Sequence, residues 1–129
     1  MIREVYKKDS PIAKELIEKW GEKYAKYAEI KKEMAELKNR MVEEISPYKV
    51  GDVIRTVKDG KEFIVTEINV NDYHLNEGGY KTGPYISFEY QTKPIRKDGM
   101  PSQNHVRIPY DTPTEFTGRR FNFVTNQFE

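Results

Sequence analysis

The sequence predicts an α+β fold, in which a long N-terminal amphipathic helix precedes a small antiparallel β-domain of four to five strands. Residues before Ser46-Pro47 are dense in Glu, Lys, Ala, Leu and Met, which lose little rotamer freedom in a helix. Residues after it are rich in Gly, Pro, Thr and Val and hold all six Phe residues, a composition typical of strands and turns. We therefore expect a helical association element over residues 1–47 and a β-domain with an aromatic C-terminal tail over residues 48–129.

Composition excludes several classes of protein. The chain of 129 residues and 15.2 kDa is too short for a multidomain enzyme. Its 22 Lys and Arg residues nearly balance 21 Asp and Glu residues, so the chain lacks the strong overall charge of a simple polyanion binder. The absence of Cys excludes disulfides, thiolate nucleophiles and Cys-based zinc sites. Because no long apolar run occurs, at the amino terminus or elsewhere, we expect a cytoplasmic protein that does not contact a membrane.

The bounds of the helix are marked in the sequence. Ser10 is a suitable N-cap, and Pro11 suits the first helical position because its missing N–H costs nothing there. Pro47 disfavours helical geometry at Ser46, so the helix should end near Ile45. An unbroken helix between these limits would be about 54 Å long, and Gly21 is its one internal weak point.

An apolar stripe follows one face of this helix at coiled-coil-like spacings of three and four residues. A β-domain of about 80 residues has a diameter of about 30 Å and cannot cover the whole stripe. One part of the stripe could pack on the β-domain of the same chain. The remainder could be covered by a second copy, by another protein, or by the chain itself folding back at Gly21. The predicted association residues are Trp20, Tyr24, Tyr27, Ile30, Met34, Leu37 and Met41.

Two hairpins are predicted in the β-domain. The first joins a short strand containing Val53, Ile54 and Val57 to a strand over Phe63 to Val70, through a turn at Asp59-Gly60. The second joins Tyr85 to Gln91 with Asn104 to Tyr110, through a connection that contains Lys97-Asp98-Gly99. Alternation in this second hairpin directs one set of side chains to the core, namely Ile86, Phe88, Tyr90, Val106, Ile108 and Tyr110. Phe121 and Phe123 alternate as in a further strand.

Catalytic chemistry is not predicted. Asp72, His74 and His105 are the only candidate metal trio, and no HExxH, HxH or EF-hand spacing supports it. The helical carboxylates are interleaved with Lys at helical spacings, as on a solvated face. We therefore expect no enzyme activity, no catalytic residues, no metal, no cofactor and no small-molecule substrate.

Basic residues gather in the second hairpin and in the tail, although the net charge of the chain is +1. Cations beside aromatic rings are typical of surfaces that bind single-stranded nucleic acid. The alternative is a set of solvated charges that protects an edge strand from pairing with other chains. The residues predicted to bind an anionic partner, either nucleic acid or a nucleoprotein, are Lys93, Arg96, Lys97, His105, Arg107, Tyr85, Arg119 and Arg120.

The segment from Lys49 to Ile54, followed by a hairpin with a long second strand, resembles the start of SH3-like small barrels of nucleic-acid- and ribosome-associated proteins. The run from Lys93 to Ser102 resembles a turn in small uncharacterised proteins of phages and mobile elements that join a charged helix to such a barrel. The resemblance covers residues 48–110 and implies an SH3-like barrel or bent sheet without catalytic residues. It also implies a second hypothesis for the function, an inhibitor that blocks a host protein such as a CRISPR-type defence nuclease by covering its surface.

Overall fold

A computed structural model describes residues 10–78 and 83–129 of the chain. The chain divides into two compact units, one reaching to Lys38 and the other formed by Asn39–Glu129. The long helix, α1 (Pro11–Ile45), supplies the described part of the first unit and contributes its last turns to the second. The fold class is α+β, as predicted, with one long N-terminal helix and an antiparallel sheet.

The ends of α1 lie where the sequence places them. The backbone N–H of Lys14 donates to the carbonyl of Ser10 at 2.9 Å, and the Ala13 N–H lies 3.5 Å from the Ser10 hydroxyl. At the other end, the Ser46 N–H donates to the carbonyl of Val42 at 3.2 Å, immediately before Pro47. The helix is continuous through Gly21, so a hairpin folded at Gly21 is wrong.

Among the described residues, six strands form the sheet of the second unit. Their order across the sheet is β4-β3-β2-β1-β5-β6, and all the pairs are antiparallel. In the described part of the chain, β4 and β6 lie at opposite edges and are not paired with each other, so the sheet is open. The strands are β1 (Asp52–Thr56), β2 (Glu62–Val70), β3 (Phe88–Pro94), β4 (Val106–Ile108), β5 (Thr114–Asn122) and β6 (Gln127–Phe128), and a short helix α2 (Asp72–Asn76) follows β2. The tail thus supplies two strands, one more than the upper limit of the four to five predicted allows, and a closed SH3-like barrel is not confirmed.

Both predicted hairpins are present, although Val57, predicted in the first strand, lies in the turn that follows β1. In the first, Ile54 lies opposite Phe63, and Gly60 takes the positive φ of 70° that the turn requires. The Asp59 carboxylate holds this turn by accepting bonds from the Thr56 hydroxyl and from the Lys61 N–H, the latter at 3.1 Å. In the second, Tyr90 lies opposite Ile108, although β3 and β4 begin and end at other residues than predicted.

Apolar side chains cover both faces of the sheet, because consecutive strand residues point to opposite faces. Ile54 and Val65 belong to one buried cluster, together with Phe63, Phe88, Tyr90, Ile108 and Tyr48. Val53 and Ile64 belong to the other, together with Phe121. Met41 and Val42 of α1 pack against the first cluster.

Two of the predicted core positions are wrong. Val106 and Tyr110 are 37% and 48% exposed. β4 is a three-residue strand at the edge of the sheet, so Val106 has a neighbouring strand on one side only. Tyr110 lies beyond the end of β4, where its ring packs edge-on against His74.

Candidate functional site

The predicted association stripe on α1 is exposed over most of its length. Its exposed fractions run from 74% for Trp20 to 52% for Met34 and Leu37. Met41 differs, because it is half-buried and packs against the core of the second unit. The exposed part of the stripe is Trp20, Tyr24, Tyr27, Ile30, Met34 and Leu37.

The aromatic end of the stripe forms a shallow apolar groove lined by Trp20, Lys23, Tyr24 and Tyr27. The rings of Tyr24 and Tyr27 are 6.4 Å apart between centroids and tilted by 41°, so the helix presents them side by side. A large exposed apolar face rimmed by charged residues is typical of a protein interface. The lining of the groove is almost wholly apolar, so it suits an apolar group rather than a charged one.

The charges on α1 favour neither an acidic nor a basic partner. The helix contains eight Lys or Arg residues and eight Glu residues, so its formal charge is zero. Some are paired along the helix, as in Glu15–Lys19 at 3.0 Å and Arg40–Glu44 at 3.4 Å. A second copy of the helix would meet no net repulsion.

Two of the predicted anionic-partner residues of the second hairpin, Arg107 and Arg96, are paired within the protein. Arg107 donates from Nε to Glu89 Oε2 at 3.1 Å and from Nη2 to Glu89 Oε1 at 2.5 Å. Hydrogen bonding to Glu89, together with the charge of Glu89, raises the pKa of Arg107. Arg96 forms an ion pair with Asp98 at 2.9 Å. A phosphate would have to compete with these carboxylates for either arginine.

The two arginines of β5 lie apart from that hairpin. The strands β2 and β1 separate β5 from β3, a span of about 14 Å at ordinary strand spacing. Arg120 donates from Nε to Asp52 Oδ1 at 3.0 Å, and Arg119 lies 3.9 Å from Glu62. Their guanidinium groups also lie over phenyl rings, Arg119 on Phe128 and Arg120 on Phe116.

Fewer contacts within the protein are formed by the side chains of Lys93, Lys97 and His105 than by those of the arginines. Lys93 is partly buried on β3 and lies opposite Ile64, whereas Lys97 is exposed in the turn that follows. His105 is exposed and lines a shallow depression with Thr66, Glu67 and Gln91. Within residues 10–78 and 83–129, neither lysine forms an ion pair.

Tyr85, the last predicted anionic-partner residue, belongs to an aromatic cluster that sequence reasoning missed. Its ring stacks on His74 at 4.6 Å, and the ring of Tyr110 meets His74 edge-on at 4.3 Å. His74 is buried in α2, and its Nδ1 lies 2.6 Å from the Ser87 hydroxyl oxygen. Removal of the Tyr85 hydroxyl from solvent raises its pKa, and the nearby phenols of Tyr110 and Tyr73 raise it further.

The only sequence signal for this cluster is Asn71 before Asp72, an N-cap for α2. The side chain of Asn71 accepts from the His74 N–H at 3.0 Å, as the cap requires. Among the described residues, no three His, Asp or Glu side chains converge to hold a metal, and this includes Asp72, His74 and His105. In the same part of the chain, no helix is both long and apolar enough to span a bilayer.

Comparison with known proteins adds no family to this description. No protein-family model, no curated protein and no solved structure matches the chain.

Proposed function

We propose that this protein is a non-enzymatic binding module that associates with a second copy of itself through the exposed stripe of α1. The observation that carries the proposal is the exposure of the six apolar residues from Trp20 to Leu37, each at least 52% exposed. Their spacing of three and four residues keeps them on one face of the helix, where a partner helix could cover them together.

Area and charge both support a second copy as the occupant. The six side chains offer about 700 Å² per protomer, close to the about 800 Å² that each partner contributes to a standard stable interface. The zero formal charge of α1 removes the electrostatic penalty that two identical charged helices would meet. A strongly acidic or basic partner would gain no long-range attraction from this helix.

Charged substitutions in the stripe test the proposal. Ile30→Glu and Met34→Glu place a carboxylate where the second copy would pack, so we expect each variant to be monomeric in light scattering. Ala25→Glu is the matched control, because it adds the same charge about 180° from Met34 on the helix. An unchanged mass for Ile30→Glu and Met34→Glu, or equal loss of association in all three variants, contradicts the proposal.

The second unit supports a weaker second role, the binding of an anionic partner at the β3–β4 hairpin. The observation that favours it is that Lys93 and Lys97 have no acidic partner in the described residues, with His105 exposed immediately before β4. We propose single-stranded nucleic acid as the ligand class, since proteins bind it through cationic side chains that neutralise its phosphates.

Filter binding with a single-stranded RNA over a salt series tests this role. We expect the double variant Lys93→Ala/Lys97→Ala to reduce the slope of log K against log salt by about 1.4, since each phosphate contact contributes about 0.7. Lys49→Ala/Lys58→Ala removes the same charge from exposed positions elsewhere in the second unit and should leave the slope unchanged. No binding at low salt, or equal effects of the two double variants, contradicts the role.

A further inference from the structure

Lys23 lies in the middle of the association stripe of α1. It is eleven residues before Met34 and seven before Ile30. At about 100° per residue it therefore lies within about 20° of each of them around the helix. Its side chain lines the apolar groove beside Trp20 and Tyr27. A second copy that covers the stripe must also meet the Lys23 ammonium group, and a single Lys within an apolar seam specifies how two helices pair.

A parallel pair of helices brings like charges together. Parallel helices in a closed two-fold dimer are in register, so Lys23 of one copy lies level with Lys23 of the other. At the sides of the seam, residues five positions apart meet, which sets Lys26 of each copy against Lys31 of the other. Glu33 meets Lys38 in the same way, but the contacts between lysines are the more numerous.

An antiparallel pair brings opposite charges together, because each side of the stripe then faces the same side of the other copy. Lys26 and Glu33 lie on one side of the stripe, two turns apart and within about 20° of each other around the helix. Full overlap of the two stripes, from Trp20 to Leu37, places the two-fold axis level with the midpoint between residues 28 and 29. Lys26 is then offset along the helix by about 3 Å from Glu33 of the other copy, and Lys23 by about 1.5 Å.

The same charges select this register among the antiparallel ones. Sliding one copy by seven residues keeps the apolar positions of the seam facing each other, but it sets Lys26 against Lys26 in one direction and Glu33 against Glu33 in the other. In the described part of α1, Lys23, Lys26 and Glu33 form no ion pair, so their charges are available to a second copy. Lys19 and Arg40 lie on the same side, but each pairs with a Glu of its own helix, at 3.0 Å and 3.4 Å.

We propose that α1 self-associates as an antiparallel pair, in which Lys23 and Lys26 of each copy approach Glu33 of the other. This inference rests on the proposed function, since it gives the orientation and the register in which the same stripe is covered. Trp20 of one copy then lies level with Leu37 of the other, so the two ends of the exposed stripe cover each other.

Cysteine cross-linking distinguishes the two orientations, because the chain has no Cys of its own. Trp20→Cys and Leu37→Cys are prepared separately, at concentrations where each is dimeric, and are oxidised with oxidised glutathione alone and after mixing. In the antiparallel pair each Cys lies about 26 Å along the helix from its own counterpart, too far for a disulfide. We therefore expect a disulfide-linked dimer in the mixture only, whereas a parallel pair would link each variant to itself.

Lys26→Glu tests the charge pairing, because its effect has opposite signs in the two orientations. It sets two carboxylates together in the antiparallel pair, so we expect association to weaken about tenfold, since the two-fold axis counts the change twice. In a parallel pair the new carboxylate would meet Lys31 and tighten association. Lys32→Glu is the matched control, because it makes the same change about 160° from Met34 and should leave association unchanged.

The triple variant Lys23→Glu/Lys26→Glu/Glu33→Lys reverses every member of the pairing, so association should return to within about threefold of wild type. Sedimentation velocity over a concentration series measures all the variants, and circular dichroism verifies that α1 stays helical. A dimeric wild type overturns the inference alone if either Cys variant links to itself, if the mixture gives no linked dimer, or if Lys26→Glu associates as tightly as wild type. A monomeric wild type overturns the proposed function as well.

Discussion

Gly51 should tolerate alanine far less well than Gly60, although both have positive φ. Gly51 has φ of 97°, and a Cβ there would lie 2.6 Å from the Phe121 carbonyl oxygen. Its N–H donates to Val65 at 2.8 Å, and its carbonyl accepts from Phe121 at 2.7 Å, so it joins β2 to β5 beside the start of β1. The backbone conformation costs Ala about 1–2 kcal/mol, and loosening these bonds adds about 1 kcal/mol or more. We therefore expect Gly51→Ala to lower the free energy of unfolding by about 2–4 kcal/mol.

Gly60→Ala is the matched comparison. Gly60 has φ of 70°, and a Cβ there meets nothing within 4 Å, so only the conformational cost of about 1–2 kcal/mol applies. Urea unfolding followed by circular dichroism measures both variants under the same conditions. Equal losses for the two variants, or a smaller loss for Gly51→Ala, would refute the argument that the Phe121 carbonyl excludes a side chain at Gly51.

Three further predictions concern the sheet and its turns. Ile54 is fully buried, so Ile54→Ala should cost about 2–5 kcal/mol in urea unfolding, and a loss under 1 kcal/mol would contradict its place in the core. The Tyr48 hydroxyl lies 2.9 Å from the Thr114 hydroxyl, so Tyr48→Phe should cost about 1 kcal/mol, and wild-type stability would show that this bond contributes nothing. Hydrogen bonds to the Asp59 carboxylate, the strongest from the Thr56 hydroxyl, lower its pKa below the ordinary value of 3.8. The stabilising contribution of Asp59 is therefore present above pH 3.8 and is lost as the pH falls through the folded-state pKa. Asp59→Asn should flatten the fall in unfolding free energy below pH 3.8, and parallel pH profiles for variant and wild type would contradict this linkage.

Local signals in the sequence were sufficient for much of the fold. The bounds of α1 follow from Ser10, Pro11 and Pro47, each of which acts on the backbone of its own neighbours. The first hairpin follows from Asp59-Gly60 for the same reason. The pairing of β5 with β1 could not be predicted, because it joins segments about 60 residues apart and no turn fixes its register.

The two predicted surfaces, the stripe on α1 and the basic surface, also differ in how far local sequence signals could establish them. The stripe on α1 depends on helical periodicity alone, and the structure leaves it exposed from Trp20 to Leu37. The basic surface depended on which acidic residues come close, and for Arg107, Arg119 and Arg120 those lie on other strands. Asp52, the partner of Arg120, is 68 residues away in the chain, and Glu89, the partner of Arg107, is 18 residues away. Counting charges along a sequence cannot reveal such pairs.

The molar mass of the full chain in solution tests self-association through α1 most directly. Sedimentation equilibrium over a wide concentration series should show a mass that rises from that of the 15.2-kDa chain to twice that value and then stays constant. The exposed stripe from Trp20 to Leu37 predicts this closed, two-fold assembly. A mass of 15.2 kDa at every concentration would contradict the account.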